Sequence, residues 1–331
     1  MRAVKLIMGA ALVAGAALVM SSCDDKKRTD VSSATIVCDE SFENIMKQEI
    51  DVFEYVHPRN FILCNYVPQA VAVDSLLKGN TRTAVIGRDL TKDERIALRK
   101  KYPNLRSMKI AVDAVALIVN PENQVNSLSL GELSEIMSGK LTRWNEIGPE
   151  GADQPINVVF DNPGSGLATY MRDSLLTDGA KFGPNVSSAG SVEGVIRTVE
   201  TRKSALGVIG VSWLTRDLNL DTLAMAKKVA ELQSDSAVVG ADINERLDNA
   251  GVKVLAVMSK HDIRAYKPYQ QYIYNGMYPL TRPMYIITTG SPVNAVGRFY
   301  TFVTSVEGQK LIMKTGILPA RMQVQVYELS R

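Results

Sequence analysis

Along the first third of the chain, short β-branched runs alternate with stretches of helical periodicity. ATIVCDE, NFILCNYV and TAVIGR predict strands, while SFENIMKQEIDVFEYVHP, PQAVAVDSLLKG and TKDERIALRKKY predict the helices that follow them. In the first helix Phe42, Ile45, Met46, Phe53 and Val56 recur on one face, Ser41 is the expected N-cap, and Pro58 closes the segment. Such a βαβαβα series implies a parallel sheet covered by helices. SMKIAVDAVALIVNPEN is longer than an ordinary strand and ends in Asn-Pro, so it is expected to run from one lobe into another. The next block keeps its own α/β rhythm: SLGELSEIMSGK as helix, INVVF as strand, a Pro-Gly-Ser-Gly turn opening another helix, then SVEGVIRTVETRK and ALGVIGVSW. VKVLAVM, a tyrosine-rich stretch and MYIITT precede PVNAVGRFYTFVTSVEGQKLIMKTG, read as one long helix with Gly316 at its C-cap.

The N-terminus follows a different pattern. Arg2 and Lys5 precede an apolar run from Leu6 to Met20, followed by Ser21-Ser22-Cys23, which predicts a secretory signal over residues 1–22. The run is shorter than the roughly 20 residues of a spanning helix. Small residues before a cysteine are similar to a bacterial lipobox, so cleavage before Cys23 and lipidation of its thiol are expected; a plain signal peptide with an incidental cysteine is the alternative. Residues 23–33 are polar and unpatterned, as suits a tether, and the fold proper is expected from near Ala34.

What remains exceeds the usual size of a single core, so two lobes are expected. Losing Arg2 and Lys5 lowers the formal charge from +3 to +1, and no basic run with interleaved aromatics occurs, which argues against a nucleic-acid partner. Cys38 and Cys64 are too few for a disulfide scaffold and lack metal-ligand spacing; one bridge or two buried thiols are the alternatives. A hydrolase built on Ser165 has little support, because Pro163 stands where the G-x-S-x-G elbow needs glycine. His57 and His261 lie in surface-like contexts, and no metalloprotease, Walker or paired-cysteine motif is present. No catalytic residue, metal or cofactor is therefore expected.

Anion binding is better supported. Helix N-termini offer unpaired N–H groups and partial positive charge, and three starts are readable in DESFENI, GRDLTKDE and NPGSGLATY. In a two-lobed α/β fold the carboxyl ends of the strands face a common cleft, so Ser41, Arg88, Ser165 and Gly166 become candidate donors to one ligand. For each serine the alternative is simple capping of its own helix.

SLSLGELSEIMSGKLTRWNEI resembles a segment of the phosphate-binding proteins of ABC importers, in the lipoprotein form found in Bacteroidota. DESFENI, IGRDLTKDE, VALIVNPEN, GSG before a helix, SALGVIGVSWL, YPLTRPMYII and FVTSVEGQKLIMKTGILP agree in order and span nearly the whole mature chain. The resemblance implies a type II periplasmic-binding-protein fold with a ligand cleft between lobes, taken as 34–115 plus 284–331 and 116–283. It implies capture of phosphate or a related oxyanion and delivery to an ABC permease complex. The expected location is the cell envelope, on the periplasmic side or the cell surface, held to the membrane by the lipid anchor. Carried over residue by residue, it points to Ser41 and Phe42 in a first ligand loop, Arg88 and Asp89 in a second, and Asn162, Ser165 and Gly166 in a third. Leu167 replaces a threonine of the family pattern, and Asp161 stands where many relatives have an arginine that pairs with the oxyanion. Arg88 is the expected replacement for that charge, with Arg172 as a second possibility. Trp144 and Trp213 resemble positions that pack at lobe surfaces. The competing expectation is a lipoprotein of the same fold that binds another small ligand or a protein partner, without transport.

Overall fold

The computed structural model describes residues 31–148, 151–176, 179–215, 222–233, 240–260 and 262–321. The expected signal segment, Cys23 and His261 lie outside the described residues. Among the described residues no helix is long and apolar enough to cross a membrane.

The first strand, β1 (Ser32–Asp39), starts two residues before Ala34, because Ser32 already pairs with Asn60 of β2 (Asn60–Val67). Between them a 3-10 turn, Glu40–Phe42, leads into α1 (Glu43–Val56). The expectation that Ser41 caps this helix is corrected. Phe42 occupies the N-cap position without a side-chain bond, and Asp39 caps the 3-10 turn by accepting the Ser41 N–H. The chain continues through α2 (Gln69–Lys78), β3 (Thr83–Ile86), α3 (Lys92–Lys101) and β4 (Arg106–Val119). Helix α3 starts at a capping box in which Thr91 and Glu94 satisfy each other's backbone N–H groups.

The second block holds β5 (Ser127–Ser129), α4 (Leu130–Ser138), β6 (Asn157–Phe160), α5 (Gly166–Leu175), β7 (Val186–Ser188), α6 (Val192–Thr201) and β8 (Ala205–Gly210). Then come α7 (Thr222–Gln233), α8 (Gly240–Asp248), β9 (Lys253–Val254), β10 (Ala256–Met258), β11 (Ala265–Tyr266) and α9 (Gln270–Tyr274). The chain returns in β12 (Thr281–Thr288), α10 (Ala295–Val303), α11 (Val306–Lys314) and β13 (Leu318–Pro319). The single long helix expected over the last third is thus two. Ser305 accepts the Gly308 N–H and caps α11, and the corner is so tight that a Cβ on Gly308 would lie 2.4 Å from the Phe302 carbonyl.

The main sheet runs β2-β1-β3-β12-β4-β8-β6-β7. β1, β2 and β3 are parallel, as are β6, β7 and β8, while β12 runs antiparallel to both β3 and β4. Strand β4 changes partner along its length: Arg106–Ala114 pairs with β12, and Val115–Val119 pairs with β8. Strands β5, β10 and β11 form a small separate sheet. This is the two-lobed α/β fold, with β4 common to both halves.

Helices cover both faces of each half. Phe53 of α1 meets Phe299 and Phe302 of α10 at ring separations of 5.2 and 5.6 Å, while Ala72, Leu76 and Leu98 of α2 and α3 close the opposite face over Val37, Ala84 and Ile86. In the second half Val195 and Val199 of α6 pack on Ile118 and Ile209, and Leu133, Ile136, Leu167 and Met171 lie in the main core with Val158. Burying each such side chain contributes about 1.5–3 kcal/mol, so the helical faces read from periodicity are what hold the sheet's two sides. Helix α7 packs back on α1 and α11 through Lys228 to Gln48 at 2.8 Å and Lys314 to Glu231 at 2.6 Å. Cys38 and Cys64 are free thiols, the first buried and the second half-buried.

Candidate functional site

The parallel strands deliver their carboxyl ends to one place, which is where open α/β sheets hold ligands. Asp39 ends β1, Gly87 follows β3, Asp161 follows β6, and Gly210 ends β8. Into the same place the antiparallel pair β4–β12 brings Asp113 and Arg282, directly opposed in register. Asp39, Asp113, Asp161 and Arg282 are all buried, as are Ser41, Phe42, Ser165 and Gly166.

Arg282 is the organising cation. Its Nε and Nη2 donate to Asp113 Oδ2 at 3.0 and 2.9 Å, and Nη2 also donates to Ser41 Oγ at 2.9 Å. Its guanidinium lies 4.2 Å from the centre of the Phe42 ring, and its Nη1 is buried with no hydrogen-bond partner. Ser41 is tied in turn: its Oγ donates to Asp39 Oδ1 at 2.9 Å, and its carbonyl accepts Trp213 Nε1–H at 3.2 Å. Trp213 and the Asn44 amide, which donates to the Ser212 carbonyl at 2.7 Å, fix the start of α1 against the segment after β8. Trp213 therefore braces a site residue, a role beyond the surface packing expected of it.

On the α5 side, Ser165 is the N-cap, accepting the Ala168 N–H at 3.1 Å while donating to Asp161 Oδ1 at 2.7 Å. Gly166 is the first helical residue and touches the β1 end so closely that a Cβ there would lie 1.8 Å from Asp39 Oδ2. Gln69 at the start of α2 accepts the Gly87 N–H at 2.7 Å. Asn162 sits in the turn before α5, where its carbonyl accepts the Ser165 N–H.

Of the residues expected at the site, the structure brings together Ser41, Phe42, Ser165 and Gly166, with Asn162 beside them. It turns Arg88 and Asp89 elsewhere. Arg88 makes a two-pronged pair with Glu94 at 2.8 Å for each bond, and Asp89 Oδ1 accepts from Arg95, Ser107 and the Leu90 N–H. Arg88, expected to replace the charge that Asp161 displaces, is paired with Glu94 instead. Arg172 pairs with the neighbouring Asp173. The cation at the site is Arg282, which sequence reasoning missed together with Asp39, Asp113 and Gln69. A signal existed: Asp113 in IAVDAVALIV and Arg282 in LTRPMYII are lone, opposite charges inside strand-like runs, and a buried charge needs a partner.

The cluster holds more buried carboxylates than cations. Burial pushes the carboxyls of Asp39, Asp113 and Asp161 above the usual range, opposed in each case by Arg282 and by local N–H or O–H donors. Burial also raises Glu40, against the hydrogen bond from Asn162. Ser165 has a carboxylate for its partner, and His57 packs against Phe53 and Phe302. Among the described residues no group of three or more His, Cys, Asp or Glu side chains could hold a metal ion.

A family model described as PBP superfamily domain matches residues 25–307. The chain belongs to the PBP superfamily. Relatives within reach of it include a protein of Pseudomonas aeruginosa named phosphate-binding protein PstS, 24% identical over an alignment spanning 94% of this chain and 92% of that one. A protein of the same name from Borreliella burgdorferi is 22% identical, with 89% and 91% covered. Among solved structures, one from Clostridium perfringens, described as a phosphate ABC transporter substrate-binding protein with bound phosphate, superposes with a TM-score of 0.67 at 22% identity, covering 87% of this chain and 100% of that one. An ABC-type phosphate transport receptor from Vibrio cholerae does so with 0.60 at 22% identity, covering 86% and 99%. The superfamily's two-lobed fold thus extends across the described body, and in the candidate site the buried carboxylates Asp39, Asp113 and Asp161 outnumber the cation Arg282.

Proposed function

We propose that this PBP-superfamily chain is a solute-binding protein that captures phosphate, or a similar oxyanion, between its lobes and delivers it to an ABC importer. The observation that carries the reading is full-length similarity to relatives named phosphate-binding protein, together with convergence of Ser41, Arg282, Ser165 and the α5 N-terminus on one point. Hydroxyls, backbone N–H groups and a guanidinium are the donors that recognise a tetrahedral oxyanion. In this reading Ser41, Phe42, Asn162, Ser165 and Gly166 line the ligand, with Arg282 supplying the charge. Capture proceeds by lobe closure, and no bond in the ligand is made or broken.

The lobes divide at the partner change of β4 between Ala114 and Val115, in support of 34–115 plus 284–331 against 116–283, with α7 packed back on the first lobe. The protein is exported, and its mature form is held to the cell envelope by a lipid on Cys23; the Ser21-Ser22-Cys23 sequence supports this. Titration calorimetry with phosphate on the body from Val31, unfolded and refolded to strip any retained ligand, tests the reading. Saturable heat at micromolar to millimolar phosphate supports it, and absence of heat or of a stability shift at millimolar phosphate removes phosphate from consideration. Mass measurement of the membrane-extracted chain, with and without Cys23→Ala, tests the anchor.

A further inference from the structure

The Asp39 carboxylate occupies the point where the site's donors meet. Its Oδ1 accepts the Ser41 N–H at 3.1 Å and the Ser41 hydroxyl at 2.9 Å. Its Oδ2 is buried without a hydrogen-bond partner and lies against Gly166, filling the space above the first turn of α5. Arg282 reaches the same hydroxyl from the other side and keeps Nη1 unpartnered. A hydroxyl, a backbone N–H, a helix N-terminus and the field of an arginine are what an oxyanion would take. Here the chain's own carboxylate takes them.

We propose that Asp39 is a tethered internal anion that competes with the incoming oxyanion for the Ser41 donors and for the space at the α5 N-terminus, and so sets which anion the site accepts. The proposal rests on the oxyanion reading above and deepens it. Loading requires the carboxylate to swing aside or to take a proton. The charged and titratable groups that face it are Arg282 from β12, Asp113 from β4, Asp161 from the β6–α5 turn, and Glu40 and Cys38 beside it on the chain. All but Arg282 are acidic, and none but Arg282 offsets a second negative charge. Competition is therefore strongest where Asp39 is ionised, and it relaxes as falling pH protonates a carboxyl that burial holds above the usual range.

The test uses the full chain purified in detergent, as wild type, Asp39→Ala and the near-isosteric Asp39→Asn. Phosphate affinity is measured from pH 5 to pH 8.5, and melting temperature is measured with and without sodium formate at matched ionic strength. Both variants are expected to bind phosphate about tenfold more tightly than wild type at pH 8 or more, with the gap narrowing toward pH 5. Formate, a free carboxylate, is expected to raise the melting temperature of Asp39→Ala saturably and to leave wild type unmoved. Absence of the formate effect overturns the proposal, as does a phosphate affinity that is unchanged or weaker in both variants; a weaker one makes Asp39 a direct ligand contact. Phosphate binding by no form, combined with formate rescue, retains the internal anion and removes the phosphate reading instead. Should Asp39→Ala fail to fold, the Asp39→Asn affinity decides.

Discussion

Asp113 and Arg282 stand directly opposite each other across the antiparallel β4–β12 pair, both buried, with two guanidinium nitrogens on one carboxylate oxygen at 2.9 and 3.0 Å. A pair of this kind contributes little net stability by itself, but breaking it leaves a charge in the interior. Arg282→Ala is expected to destabilise the protein by about 3–5 kcal/mol, read as a shift of the urea midpoint. Arg282→Lys should recover little, because a point charge cannot span Asp113 and Ser41 together. If Arg282→Ala and Asp113→Asn proved strictly additive, the pair would not be acting as a unit.

Gly166 and Asp39 are coupled by space. Gly166→Ala places a Cβ 1.8 Å from Asp39 Oδ2 and 3.1 Å from Gln69 Oε1, so a loss of roughly 1–3 kcal/mol is expected. Shortening the opposing side chain with Asp39→Ala should return most of it. Chemical denaturation of the two single variants and the double variant measures this, and a double variant as unstable as the sum of the singles would rule the contact out as the cause.

Ser41→Ala removes the hydroxyl shared by Arg282 and Asp39. Phosphate affinity should fall about tenfold or more, in line with loss of a charge-assisted hydrogen bond. Arg88→Ala is the control. Its partner Glu94 lies in the α3 capping turn and the arginine is partly exposed, so stability should change by less than about 1 kcal/mol. Phosphate affinity should stay unchanged. Calorimetry on both variants separates a site at Ser41 from one at Arg88.

Glu49, on α1, is fully buried, and neither of its carboxylate oxygens has a hydrogen-bond partner. Burial holds its carboxyl well above the usual range, with Lys228 only partly opposing. A raised folded-state pKa means that this group's stabilising proton uptake is complete below the unfolded carboxyl range and is lost as pH rises through the folded value. Glu49→Gln should therefore stabilise the protein at pH 8 by roughly 1–3 kcal/mol and do little at pH 4. Equal effects at both pH values would show that the carboxyl titrates normally.

Much of the fold is legible in the chain because its signals are local. β-branched runs, the 3.6-residue faces of α1 and α10, and the Ser165, Ser129 and Thr91 caps each depend on residues within a few positions of one another. Other local signals are ambiguous. Ser41 looked like a cap but sits inside a 3-10 turn capped by Asp39, and the apolar period running through Thr304 and Ser305 concealed a corner between two helices.

By itself, then, the sequence determined the βαβ order of the first third, the faces its helices bury, the superfamily, and the placing of Ser41, Ser165 and Gly166 at strand-to-helix turns. Only the tertiary structure decided which charges share that meeting point. Asp113 and Arg282 are 169 residues apart and pair because β4 and β12 adopt one register. Arg88, adjacent to the site in sequence, is paired instead with Glu94 in the first turn of α3. Asp39 reads as the last residue of a strand until β6 and α5 are brought against it, and then its carboxylate fills the place of a ligand. The partner of a buried charge is set by long-range packing and desolvation, and neither is written in the period of a local pattern.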